Sequence, residues 1–251
     1  MNTQLERHLS PFGMELAAGA AVQLALLVSL GVSVGLGPLG WLAATTYAAG
    51  LLIILAVAGR RAGTRALGPA NRVTLARATL VGCVTALVAD GIGGGPRTAL
   101  LVALATVALI LDAVDGYAAR RTGSSSPLGA RFDMEVDAFL ILVLSVFVAT
   151  SLGIWVLAIG AMRYVFVAAA WIMPWLRAPL PPSFARKAVA ALQGIILVIA
   201  GAGIAARPAT VVAVAVALAL LLWSFGRDVA WLWRTRKRTG LSPRTRSIDS
   251  K

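Results

Sequence analysis

Asp112 and Asp115 stand three residues apart, with Gly116 and Ala119 following on the same helical face. Further along, Gly129, Asp133 and Asp137 recur every four residues. On an α-helix, residues three and four apart lie over one another. Each group therefore sets carboxylates and small residues on a single face. Apolar runs at 100–111 and 138–149 flank the stretch, which holds half of the chain's ten acidic residues. A carboxylate joined directly to membrane-grade sequence is costly and marks function by default. The segment TGSSSPL between the two groups is a polar turn punctuated by Gly and Pro, and a helical hairpin closed there brings the four aspartates together. Carboxylates at that range repel one another unless a cation sits between them, and an all-oxygen set suits Mg2+ or Mn2+. Glu135 is two residues from both Asp133 and Asp137, so it points away from their face and is left out of the set. Four unrelated helix-end charges would not keep one face on both sides of the turn.

Composition restricts the alternatives. Hydrophobic residues make up 59% of the 251-residue chain and charged residues 13%, about half the charge a soluble domain carries. The sequence is that of a polytopic membrane protein. The single cysteine, Cys83, lies in an apolar run, and the single histidine, His8, in a polar N-terminal arm. Disulfide frameworks, thiolate metal sites and histidine chemistry are thereby set aside.

The elements that must position the aspartates are helices, and nothing reads as a strand. Apolar segments at 12–36, 41–59, 73–89, 98–120, 129–150, 154–175, 188–205 and 209–233 each approach the ~20 residues that span a ~30 Å hydrocarbon core. The expected organisation is an N-terminal arm and helical pair (1–59), a basic linker (60–72), a catalytic body (73–233) and a basic tail (234–251). The first apolar run is longer than a signal-peptide core and reads as a retained helix. Glycines at 90–97 and Gly201-x-Gly203-x-x-Ala206 follow no strand, so neither is a phosphate cradle. Eight crossings put both termini on one side. That side collects 20 of the 23 Lys and Arg residues, against Arg97 and Arg207 on the other, which makes it cytoplasmic. The net charge of +13 is then topology plus attraction to anionic lipid, and nucleic acid is not expected as a partner. The acidic hairpin falls at the cytoplasmic face, as expected for a bacterial plasma-membrane protein.

The pattern Asp112-x2-Asp115-Gly116-x2-Ala119-Arg120-x8-Gly129-x3-Asp133-x3-Asp137 resembles the signature of the CDP-alcohol phosphotransferases at every defining position. The resemblance covers roughly residues 68–235. It implies an all-α polytopic fold in which a six-helix CDP-alcohol phosphotransferase core is preceded by two extra N-terminal transmembrane helices. It also implies a reaction, in which an acceptor alcohol attacks the β-phosphate of a CDP-alcohol, CDP-diacylglycerol in phospholipid synthesis, and CMP leaves. By the family pattern Asp112, Asp115 and Asp133 ligate one or two Mg2+ or Mn2+ ions, and Asp137 is the general base. Gly116, Ala119 and Gly129 leave room for the nucleotide, and Arg120 either contacts phosphate or anchors the helix end. Pro69-x-Asn71-x2-Thr74-x2-Arg77 is similar to the segment that opens the family's first core helix. Asn71 and Thr74 are expected near the nucleotide, with a helix N-cap as the other reading of Asn71. Thr74 and Arg77 share a face at the cytoplasmic entry.

On the acceptor side, Arg163 lies inside the sixth helix, where an unpaired guanidinium is costly. It is expected to face the polar cavity, pairing with an aspartate or binding an acceptor phosphate. Arg186 and Lys187 open the seventh helix, with Gln193 two turns on. They form either a phosphate pocket or a simple cytoplasmic helix end. The residue after Asp137 is Ala138, so the Asp-Lys ending of glycerol-phosphate-using members is absent, which disfavours that acceptor. The resemblance also implies a homodimer. Two further readings stand beside this one: the same chemistry on a soluble CDP-alcohol with a lipid acceptor, and a cation-binding transporter.

Overall fold

The structure, a computed structural model, describes residues 11–63, 69–91, 96–122, 127–181 and 183–239, without the side chains of 69–70, 96, 115, 117–122, 127–128 and 237–239. Among the described residues there are eight α-helices and no strand: α1 Pro11–Val34, α2 Pro38–Arg61, α3 Pro69–Ala89, α4 Pro96–Thr122, α5 Pro127–Leu152, α6 Leu157–Ile172, α7 Phe184–Ala202 and α8 Arg207–Thr239. All eight segments are long and apolar enough to cross a membrane, the sixth with the help of the 3₁₀ turn Ile154–Val156 that leads into α6. The expected all-α, eight-span architecture is thus the observed one, and the protein is an integral multi-pass membrane protein.

Several boundaries differ from expectation for local reasons. Helices α1 to α5 each open on a proline, whose fixed φ and missing N–H suit the first helical position. They therefore begin one to four residues before the apolar runs that announced them. Helix α7 runs 184–202 rather than 188–205. The Ser183 hydroxyl accepts from the Arg186 N–H at 3.4 Å at its start, and Gly203, at φ +65°, takes the left-handed conformation at its end. Helix α8 continues to Thr239, past the expected end at 233, because Arg and Lys are good helix formers and no breaker occurs before Gly240. The rest of the expected tail, 240–251, lies outside the described residues, as do 1–10, 64–68 in the linker and 92–95 in the Gly-rich loop.

Helix α3 is the axis of the bundle. It packs against α1 and α2 on one side and α4 and α5 on the other, while α7 contacts α4, α5 and α8. One continuous core runs from Phe12, Leu27 and Leu55 of the N-terminal pair through Val81 and Val84 of α3 to Leu101, Leu140 and Leu197. Lipid tails are as apolar as leucine, so helices associate in membranes through close packing at small residues. At Gly82 on α3 an added Cβ would collide with the Gln23 amide of α1, and at Gly160 on α6 it would fall 2.5 Å from the Leu142 Cα of α5. Charges tie both ends. Arg72 of α3 meets Glu15 of α1 at 2.6 Å. At the opposite end Arg97 meets Asp90 at 3.2 Å and donates to the carbonyls of Val34 and Gly35.

Candidate metal centre

Helices α4 and α5, each packed on α3 and on α7, bring Asp112, Asp133 and Asp137 to one point, where one carboxylate oxygen from each lies within 4.8 Å of the others. Helix periodicity makes this possible. Asp133 and Asp137 are one turn apart on α5, and α4 presents Asp112 opposite them. All three carboxylates are a little over one-third exposed, so the cluster opens to whatever fills the space beside it. The donors are carboxylate oxygens, the set that small hard cations prefer. Such a donor set would hold a small divalent cation through its carboxylate oxygens. The side chain of Asp115, one of the three expected ligands with Asp112 and Asp133, lies outside the described residues.

The closed side of the cluster is built from α3. Arg77 is 1% exposed, and its guanidinium meets Asp112 Oδ1 at 2.9 Å, Asp133 Oδ1 at 2.5 Å and Asp137 Oδ1. A guanidinium presents five donors in a planar fork, which is why one side chain can serve carboxylates from two other helices. Each of these contacts uses Oδ1, which leaves Oδ2 of Asp133 and of Asp137 for a cation or a proton. Thr74 and Asn71, about one and two turns before Arg77 on α3, are both buried. Asn71 is the third residue of α3 and so is not its N-cap.

A family profile of CDP-alcohol phosphatidyltransferases matches residues 67–223, well over half of the chain. The chain belongs to the CDP-alcohol phosphatidyltransferase family. No curated protein and no solved structure is matched by it. The family is one of transferases of phosphate groups that use a CDP-alcohol and an alcohol acceptor, generally with divalent cations.

Gly116 is half-buried on α4, one turn from Asp112, and Gly129 is buried at the start of α5. The side chains of Ala119 and Arg120 and the turn residues 123–126 lie outside the described residues. Among the described residues, Arg163 pairs with none of Asp112, Asp133 and Asp137. Its guanidinium binds the Glu135 carboxylate, with Nε to Oε2 at 3.3 Å. Glu135 does turn away from Asp133 and Asp137, as its spacing requires. Arg186 meets the buried Asp228 of α8 at 3.0 Å, and Arg227 donates to the Ser183 hydroxyl at 3.2 Å. Lys187 is exposed, while Gln193 is buried and donates to the Ala217 carbonyl of α8. The residue that sequence reasoning left without a role is Arg77. Its signal was present: an arginine eight residues into an apolar helix requires an acidic partner.

Proposed function

We propose that the protein transfers a phosphatidyl group from CDP-diacylglycerol to an acceptor alcohol, with release of CMP, in phospholipid synthesis. The observation that carries this reading is the convergence of Asp112, Asp133 and Asp137 on one point within the membrane-spanning hairpin. In this reading Asp112, Asp115 and Asp133 hold one or two Mg2+ or Mn2+ ions. Such ions would neutralise charge on the pyrophosphate and fix its geometry. Asp137 accepts the proton of the acceptor hydroxyl. That oxygen forms a bond to the β-phosphorus as the bond from phosphorus to the CMP oxygen breaks. Arg77 keeps the carboxylates gathered and lowers their mutual repulsion. Asn71, Thr74, Gly116, Ala119, Arg120 and Gly129 border the nucleotide.

A lipid donor is favoured because the site lies among membrane spans, so acyl chains can stay in the bilayer while the nucleotide enters from the cytosol. The charge asymmetry supports a cytoplasmic site and cytoplasmic termini. On the acceptor side, Arg186, Lys187 and Arg227 outnumber Asp228, a balance that favours a phosphorylated alcohol. Arg163, engaged by Glu135, contributes there only by exchanging that partner. The family resemblance supports a homodimer and a boundary between the N-terminal pair and the catalytic body.

The test is a radiolabelled donor assay with purified protein, Mg2+ or Mn2+ and a panel of alcohols and alcohol phosphates. CMP release from CDP-diacylglycerol, with label appearing in a new lipid, is the expected result. Label transferred only from a soluble CDP-alcohol to a lipid acceptor would reverse the direction of the assignment. Cation flux in proteoliposomes without CMP release would replace the enzyme by a transporter.

A further inference from the structure

Helix α8 runs on past the family match, which ends at residue 223, and past the helix beside it. Two contacts set the register of the antiparallel pair α7–α8: Gln193 with the Ala217 carbonyl, and Arg186 with Asp228 at 3.0 Å. Phe184, the first residue of α7, therefore stands level with about residue 230. The segment from Trp231 to Thr239 projects ~14 Å beyond that end of α7, at 1.5 Å per residue.

The projection is anchored by packing. Leu232, 1% exposed, forms a second core with Leu176 and Ala170, separate from the main one. Leu176 belongs to the 3₁₀ turn Pro174–Arg177 between α6 and α7, and the rings of Trp175 and Trp233 meet edge to face at 5.4 Å. The outer side of the segment carries Trp231, Trp233, Arg234 and Arg236, all exposed. The Arg236 guanidinium lies over the Trp233 ring, 5.5 Å from its centroid. The next residues add Lys237 and Arg238, and the chain holds no acidic residue between Asp228 and Asp249.

The spans of α6 and α7 end at this level, so the segment crosses the boundary between hydrocarbon and headgroups. Tryptophan is at home at that boundary. The headgroup layer on each face is roughly 5–8 Å thick, and Arg234 and Arg236 stand ~5 and ~8 Å beyond Trp231 along the helix. Their charges are thus at the depth of lipid phosphates. A basic cluster directly after a membrane span attracts anionic lipid, while a zwitterionic headgroup brings its own cation and gains less.

We infer that the projecting end of α8, with the turn packed on it, is a binding surface for anionic phospholipid of the adjoining leaflet. The tryptophans fix its depth, and Arg234 and Arg236 take the headgroup phosphate. This does not depend on the transferase reading. The experiment places the full chain in phosphatidylcholine nanodiscs and measures tryptophan quenching by small, equal fractions of acyl-brominated phosphatidylglycerol or phosphatidylcholine. It compares wild type with Arg234→Gln/Arg236→Gln and with Arg60→Gln/Arg61→Gln, which removes the same charge from exposed residues at the end of α2. Wild type should prefer phosphatidylglycerol by about fivefold or more, the worth of at least one basic residue near an anionic surface. The α8 variant should lose most of that preference and the α2 variant should keep it, with inorganic phosphate displacing no more lipid than chloride at equal ionic strength. No preference in wild type, or equal preference in all three proteins, would overturn the inference. Equal losses in the two variants would also overturn it, since net charge alone would then set lipid affinity. Displacement by inorganic phosphate would overturn the lipid assignment in favour of a free-phosphate site.

Discussion

A guanidinium that is 1% exposed and touches three aspartates from two other helices takes the place of solvent as their counter-ion. Removing one partner of a buried ion group leaves uncompensated charge behind, at a cost of about 3–5 kcal/mol. The aspartates are partly exposed, so Arg77→Ala belongs at the lower end of that range, and the expected readout is a clear fall in Tm of the detergent-solubilised protein. A wild-type Tm would mean that Arg77 is dispensable to the site. Position on the helix also separates near neighbours in sequence. Asp137→Asn should lower CMP release by about 10²–10⁴-fold, the contribution of a general base. Glu135→Gln, two residues away but turned toward Arg163, should leave it near the wild-type rate. Equal losses in the two variants would show that the faces of α5 had been assigned wrongly. At this scale the i, i+3 and i, i+4 spacing made the aspartates legible. It could not disclose Arg77's partners, because Asp133 and Asp137 lie 56 and 60 residues further along the chain and only packing brings them together.

The hairpin α4–α5 works because its neighbours approach closely. Gly160 lets α6 lie directly on α5, and a Cβ there would fall 2.5 Å from the Leu142 Cα. Backbone cannot yield as a flexible side-chain end can, so Gly160→Val should destabilise the protein by about 1–3 kcal/mol or more. Thermal unfolding of the variant checks this, and a neutral substitution would contradict the packing. Helix number and order were readable from apolar runs of membrane length. Helix starts were not, since the prolines at 11, 38, 69, 96 and 127 lay just outside the expected apolar segments when they occupy the first helical positions. The end of α8 was missed because the basic run 234–239 was judged by its charge and not by its helix propensity.

Over the whole molecule, the N-terminal pair and the family domain share one core, with Phe12, Leu27 and Leu55 packed in continuity with α3. The sequence suggested a pair joined by a basic linker but gave no sign of what it touches, since lipid-facing and protein-facing apolar residues look alike. A chain lacking residues 1–59 should therefore yield little monodisperse protein in detergent, and a well-folded truncated protein would mark the pair as a detachable appendage. The central claim is that the aspartates of the hairpin share a divalent cation. It is tested most directly by titrating Mn2+ into the purified, substrate-free protein and following bound ion by electron paramagnetic resonance. The expected result is saturable binding of one or two ions in wild type, weakened strongly in Asp133→Asn and retained in Glu135→Gln. Absence of saturable binding in wild type, or binding untouched by Asp133→Asn, would contradict it.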